Sequence, residues 1–279
     1  MKEEYLKRMK HIAYIGGKIA CELISDIRFQ LKPDNSVITR ADIEISTFAH
    51  SVIADLIKSP DHILIDEEDP NNETLDQRDL ERIPYIWVID PIDGTRAYSN
   101  YMPNFGISIG LIKELKPWLS YVYFPKLGEL FFSDGEHSFF VQNAFTINEK
   151  KSIIYPIDQQ ITSQSIFLCN DSFYEKFNWD FSDCKLMNPS CAVLSLCWPT
   201  IGRGCGTFFG AHLWDFAGPW PIFLSAGLKL RSYKTAKEIT YLNTELFDRK
   251  SRDPWKLKEF YILSSEKNFS LLRGKIIPK

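Results

Sequence analysis

The 279-residue chain is 44% hydrophobic and 25% charged with a formal net charge of −3, an ordinary composition for a globular protein large enough for one substantial core or two packed lobes. This charge balance gives no reason to expect a nucleic-acid surface, because holding a phosphate backbone takes a clustered basic excess. The run Met1-Lys2-Glu3-Glu4-Tyr5-Leu6-Lys7-Arg8 is charged where a secretory signal is apolar, and no later stretch is long and apolar enough to cross a bilayer. A cytoplasmic location with no membrane partner is the expectation.

Leu6, Met9, Ile12, Ala13, Gly16, Ile19, Ala20 and Leu23 recur at helical spacing and predict a first helix over residues 5–27. A second helix starts at Thr39 or Asp42 and runs to about Lys58, where Pro60 closes it. A strand at 62–66 follows and delivers Glu67 at its exit. The polar span from Asp69 to Pro84, including Pro70-Asn71-Asn72-Glu73, reads as a surface loop whose Thr74 to Arg82 portion can hold a helical turn. Between Gly and Pro breaks, β-formers at 105–112, 118–124, 129–133 and 138–141 predict an antiparallel meander. The pattern then restarts with a strand at 165–169, helices near 172–178 and 190–198, a strand at 205–209 and a helix from Trp214 to Ala226. No internal repeat, low-complexity tract or flexible linker interrupts it.

Cys21, Cys169, Cys184, Cys191, Cys197 and Cys205 form no Cys-x-x-Cys pair and have no histidine at zinc-ligand spacing, so they read as buried, reduced thiols. The histidines are scattered. Only His212 stands near a candidate site residue, and it reads as packing.

The stretch Trp87-Val88-Ile89-Asp90-Pro91-Ile92-Asp93-Gly94-Thr95 carries the chemistry. Ile86 to Ile89 suits a buried strand, and Pro91 removes the next ladder donor, so the backbone is expected to leave the sheet at Asp90. Two carboxylates then sit at a strand's carboxyl end. Gly94 permits a tight turn and Thr95 opens a helical turn whose N–H groups point at whatever the carboxylates hold. Oxygen ligands beside an anion cradle suit magnesium and phosphate. A solvated Asx-Pro turn is the plainer alternative for the isolated pentapeptide.

The segment resembles the Asp-Pro-Ile-Asp-Gly-Thr signature of the inositol monophosphatase family, magnesium-dependent and lithium-sensitive phosphatases. Lys32-Pro33-Asp34-Asn35-Ser36-Val37-Ile38-Thr39-Arg40-Ala41-Asp42 is similar to that family's Lys-x-Asp-x-Ser-x-Val-Thr-x-Ala-Asp element. Ile63-Leu64-Ile65-Asp66-Glu67-Glu68 is similar to its Gly-Glu-Glu element, with Asp66 where glycine is usual, and His212-Leu213-Trp214-Asp215-Phe216-Ala217-Gly218 to its Trp-Asp-x-Ala element. Four ordered motifs, from about residue 32 to about residue 230, are far more specific than one.

The resemblance implies an α+β fold of layers α/β/α/β/α in two lobes, here residues 1–155 and 156–279, with the metal site between them. It implies two magnesium ions. Glu67, Asp90 and the Ile92 carbonyl would hold the first and Asp90, Asp93 and Asp215 the second, with a third, weaker ion beside Glu67. Glu67 and Thr95 would address the attacking water, Asp42 would support Thr95, and the Gly94 and Thr95 N–H groups would hold phosphate. Ser190, Cys205, Phe208 and Asp215 fall in substrate-binding positions, and a homodimer is the expected assembly.

Each residue also has a local reading: Asp42 and Thr95 as helix caps, Glu67 and Glu68 as an acidic edge, Asp215 as a first-turn aspartate. Lys32 reads as a charge partner for Asp42. The segment Asn188-Pro189-Ser190-Cys191-Ala192, continuing to Gly202-Arg203-Gly204-Cys205-Gly206-Thr207-Phe208-Phe209, departs from enzymes that prefer inositol phosphate. Pro189, Cys205 and Phe208 stand where those carry a glycine, an aspartate and a glutamate, so two acceptors for sugar hydroxyls are missing. One of Phe208 and Phe209 reads as core; the other is free to stack on a leaving group. Arg96 is placed to reach a second anionic group. The expected activity is hydrolysis of a small metabolite's phosphate monoester. Histidinol phosphate or a nucleotide 3′-phosphate are alternative substrates, and a non-catalytic metabolite-binding protein is the alternative class. A metal-dependent nuclease lacks the expected basic surface.

Overall fold

The computed structural model describes residues 1–279 apart from 28, 33–36, 70–76, 158 and 249–253. The Pro33 to Ser36 part of the first motif and the Pro70 to Asp76 part of the expected loop therefore lie outside the described residues. Helix α1 (Lys2–Leu23) buries Tyr5, Met9, Ile12, Ala13, Gly16 and Ala20 along one stripe. A hairpin of β1 (Phe29–Leu31) and β2 (Val37–Thr39) leads into α2 (Arg40–Ile53). Thr39 and Asp42 start α2 as a reciprocal capping box. That helix ends at Ile53, short of Lys58, and turns closed by Leu56 N–H to Ile53 O and Ser59 N–H to Leu56 O take the chain onward.

The first sheet contains β3 (His62–Asp66), β4 (Tyr85–Asp93), β5 (Gly106–Lys113), β6 (Lys116–Phe124), β7 (Glu129–Ser133), β8 (Ser138–Gln142) and β9 (Lys150–Ile153), in that spatial order. Short helices α3 (Gln77–Arg82) and α4 (Thr95–Ser99) flank β4. β3 runs parallel to β4, and the rest form the expected meander with β9 added at its edge. The chain does not leave the sheet at Asp90. β4 continues to Asp93, because a register shift between Asp90, opposite Ser108, and Asp93, opposite Gly106, absorbs Pro91 in a bulge.

The second half contributes β10 (Ser165–Leu168), α5 (Asp171–Lys176), β11 (Phe177–Trp179), β12 (Cys184–Met187), α6 (Ala192–Cys197), β13 (Gly206–Phe209), α7 (Leu213–Ala217), α8 (Pro219–Ser225), β14 (Lys229–Ser232), β15 (Tyr261–Ser264), α9 (Glu266–Gly274) and β16 (Ile276–Pro278). Its main sheet has the order β12-β10-β13-β15-β14, while β11 pairs with β16. The single helix expected from Trp214 to Ala226 is two helices. Pro219 has no N–H for the Asp215 carbonyl and its ring crowds it, so α7 stops and α8 starts afresh.

The layers run α1/α2, first sheet, α6–α8, second sheet, α5/α9. One core joins Ile65, Val88 and Phe131 to Leu194, Phe216, Trp220 and Leu263, so the chain on either side of residue 155 packs into a common interior. Among the described residues no helix is long and apolar enough to cross a membrane.

At Gly110 of β5 the middle layer comes close to the first sheet. A Cβ there would lie 2.6 Å from the Ala217 carbonyl carbon, and Ala217 closes α7, the helix bearing Asp215. Gly110→Ala should therefore lower stability by roughly 1–3 kcal/mol, the scale of overpacking, and chemical denaturation monitored by circular dichroism measures it.

Candidate active site

Parallel pairing of β3 with β4 sets Asp66 opposite Ile89, so Glu67, which donates its N–H to Ile89 O at 3.2 Å, emerges beside Asp90. Successive strand side chains alternate between faces, and residues three apart normally point opposite ways. The bulge adds one residue and cancels that inversion, turning Asp93 to the same face as Asp90, towards α6 and α7. Asp215 reaches them from the first turn of α7, where its Oδ2 accepts the His212 N–H at 2.6 Å. His212 stacks on Trp214 at 4.8 Å, with Nδ1 3.4 Å from Asp215 Oδ2.

One oxygen from each of Asp90, Asp93 and Asp215 lies within 4.8 Å of the others, and all three residues are buried. Burial, then the charges of Glu67, Asp93 and Asp215, push the Asp90 carboxyl well above the usual carboxylate range. Asp90 Oδ1 is buried without a hydrogen-bond partner. Asp93 is pushed up to about 7 by burial and Asp215, against hydrogen bonds from the Cys191 thiol and the Val193 and Ala192 N–H groups. Those donors stand 2.7 Å and 2.7 Å from Oδ2 and 3.2 Å from Oδ1 respectively. Burial and the neighbouring Asp93 also raise the Cys191 thiol.

Lys32 is not the partner of Asp42. Its Nζ donates to Glu67 Oε1 at 3.0 Å and Glu68 Oε1 at 2.7 Å, because the hairpin ahead of α2 brings it to the exit of β3. Burial opposes its charge, but Glu67 and Glu68 outweigh that and raise its pKa. Burial raises Glu67, with Lys32 opposing, while burial and Glu67 push Glu68 up to about 8. Asp66, at the usual glycine position, turns the other way to accept from Ser46 Oγ at 2.7 Å under α2.

Thr95 Oγ1 lies 2.8 Å from the Ile92 carbonyl oxygen and 3.3 Å from Asp42 Oδ1. Asp42 serves as cap and as neighbour of Thr95 at once, its Oδ2 accepting the Thr39 N–H at 2.8 Å. Burial lifts it to about 7 against the Thr39 hydrogen bonds. Gly94 precedes α4 with φ +83°, and a Cβ there would lie 2.7 Å from Asn104 O, so only glycine fits the turn.

A cavity of about 240 Å³ opens over Glu67, Gly94 and Thr95, with Ser190 and Cys191 on one wall and Arg96 on another. Arg96 Nη1 meets Asp171 Oδ2 at 2.7 Å, and Asn188 Nδ2 holds Asp171 Oδ1 at 2.5 Å. Cys205 and Phe208, expected in the substrate site, lie elsewhere. Cys205 Sγ is 3.6 Å from Cys184 Sγ, and the Phe208 ring packs on Phe173, Phe177 and Phe260. β13 is an inner strand: Phe208 faces the α5/α9 layer and Phe209 the α6–α8 layer, so both rings are core. Cys191, Asp171 and Asn188 were not among the expected site residues. Cys191 sits 98 positions from Asp93, and nothing local to it signals that contact.

A layered α/β fold that converges carboxylates from strand ends and a helix start beside a polar cavity defines a class of phosphoryl-transfer site. The chain belongs to the inositol monophosphatase family, a family of phosphoric monoester hydrolases, whose model matches residues 1–268. It is 28% identical over 134 residues to the 3′(2′),5′-bisphosphate nucleotidase CysQ of Haemophilus influenzae, which spans 48% of each chain. To the Nus factor SuhB of Pasteurella multocida it is 28% identical over 212 residues, 72% of this chain and 74% of that one. The chain thus spans about half the length of the first relative and three quarters of the second. A solved IMPase/NADP phosphatase complexed with Mg²⁺ and phosphate shares the fold at TM-score 0.75 and 20% identity, covering 98% of this chain and 95% of that chain.

Asp90→Asn should stabilise the metal-free protein, since a neutral amide replaces a buried carboxylate among like charges and can donate to one of them. In buffer with excess chelator its Tm should exceed that of the wild type, by about 1–3 kcal/mol in stability; an unchanged or lower Tm would show that Asp90 is not electrostatically strained.

Proposed function

We propose that the protein hydrolyses the phosphate monoester of a small phosphorylated metabolite, with magnesium held by Glu67, Asp90, Asp93, Asp215 and the Ile92 carbonyl. The buried, unpartnered Oδ1 of Asp90 among three other carboxylates carries this reading, because an acceptor in that setting fits a hard cation. Magnesium, when bound there, supplies charge neutralisation for the phosphate and a lower pKa for water. Lys32 already brings positive charge to Glu67 and Glu68, which favours two ions over three.

The chain's own residues orient the nucleophile. The single proton of the Thr95 hydroxyl can go to the Ile92 carbonyl or to Asp42, leaving its lone pairs to accept from an attacking water that would sit in the cavity Thr95 lines together with Glu67. Asp42, with its pKa near neutrality, is suited to take a proton passed along the threonine. The backbone at Gly94 and Thr95 borders the cavity where the phosphate would rest.

For the leaving group, the cavity wall offers Arg96, Asp171, Asn188 and Ser190 in place of the two hydroxyl acceptors the segment lacks. With Cys205 and Phe208 where enzymes that prefer inositol phosphate carry an aspartate and a glutamate, inositol 1-phosphate is a poor fit. A nucleotide 3′-phosphate is the favoured narrower reading, because Arg96 can meet a second anion and a CysQ bisphosphate nucleotidase is among the relatives. Phosphate release across sugar, histidinol and nucleotide phosphates tests this, and a preference for inositol 1-phosphate over all others would overturn it.

Activity should be lost in excess chelator, restored by magnesium and suppressed by lithium, which carries too little charge for a magnesium position. Undiminished turnover in chelator would make the protein's chemistry metal-independent. Thr95→Ala should lower kcat by roughly 10²-fold, the scale of a positioned acid–base group, with Mg²⁺ affinity by calorimetry near wild type. A parallel loss of metal affinity would instead make Thr95 a support of the metal site.

A further inference from the structure

We propose that Cys191 is a positioning residue whose thiol fixes the orientation in which Asp93 presents its carboxylate to the cation. This rests on the reading of Asp93 as a metal ligand. Three donors hold that carboxylate, and all come from the turn into α6: the Cys191 thiol and the Val193 N–H on Oδ2, and the Ala192 N–H on Oδ1. A carboxylate has about four acceptor directions. Two donors on Oδ2 and one on Oδ1 leave Oδ1 the freer oxygen, and they fix the carboxylate plane relative to Asp90 and Asp215.

The thiol differs from the two backbone donors. Ala192 and Val193 are adjacent and move together with the start of α6, so alone they act as a hinge about which the carboxylate can tilt. Cys191 donates from a side chain that packs against the Gly94 turn, so closely that a Cβ on Gly94 would lie only 3.1 Å from the Cys191 Cβ. The sulfur is buried at the cavity wall and its hydrogen bond is made to a charged acceptor, the stronger kind. Supporting donors of this sort set a ligand's orientation, and their removal weakens metal affinity without removing a ligand.

The test is a calorimetric titration of Mn²⁺ and Mg²⁺ into wild type, Cys191→Ala and Cys191→Ser, with Tm measured in chelator for each. Alanine removes the donor, and affinity should fall roughly 10-fold, the lower end for an outer hydrogen-bonding partner. Serine keeps a donor of smaller volume, and affinity should stay within about 2-fold of wild type. Wild-type affinity in the alanine variant overturns the proposal, as does an equal loss in both variants that follows their loss of Tm, since that pattern belongs to packing. Absence of binding to the wild type overturns the metal reading itself and this inference with it.

Discussion

Three buried carboxylates and the half-buried Glu67 crowd one point, and the fold is organised around their repulsion. At 4.8 Å and an effective dielectric near 20, two ionised carboxylates repel by roughly 3 kcal/mol. Charge-assisted hydrogen bonds, at about 1.5–3 kcal/mol each, are of the same size and can offset it. Asp93 has three such donors, Asp215 has the His212 N–H at the start of α7, and Glu67 has Lys32. Asp90 Oδ1 has none. Donors thus stand against the repulsion at Asp93, Asp215 and Glu67, and the Oδ1 of Asp90 is left without one.

That distribution explains why the group draws on distant segments. A single strand can supply Asp90 and Asp93 to one face only through the β4 bulge, and β3 can add Glu67 only in parallel register. The remaining carboxylate, Asp215, and most of the donors come from α7 and α6, which pack on the same face of the first sheet and against the second. Gly110 allows α7 to approach β5, so Asp215 meets the strand-borne carboxylates. The middle helical layer thus acts as core and as half of the site, which is a reason for the shared interior.

The carboxylates were legible in the sequence because each lies in a dense local motif whose spacing carries its own meaning. Element types were legible for the same reason where periodicity is strong, as in α1 and the β5–β8 meander. The errors are non-local. Pro91 correctly predicts a lost ladder bond, but whether a strand stops or bulges depends on what β5 offers opposite it. Lys32 could be recognised as a partner for an acidic group, yet the β1–β2 hairpin decides that it meets Glu67 and Glu68. Cys205 and Phe208 align with functional positions in linear order, and the inner position of β13 turns them into core. Strands β9, β11, β14 and β16, each of three or four residues, are too short for a period-two pattern to declare itself.

The carboxylate group and the cavity wall consequently differ in how they can be read. The carboxylate group must satisfy one electrostatic condition, and few residue types at few spacings meet it, so its motif is compact. The cavity wall has no such condition. Arg96 comes from the start of α4, Asp171 from α5 and Asn188 from the turn after β12, and they meet only because three layers bring them to one edge. The Arg96–Asp171 pair is exposed, so water screens it and its net contribution to stability is about 0–1 kcal/mol. Weak mutual pairing leaves both groups open to exchange partners with a ligand at little loss to the fold. The same layers that force the carboxylates together therefore leave the cavity wall free to vary at little cost to the fold.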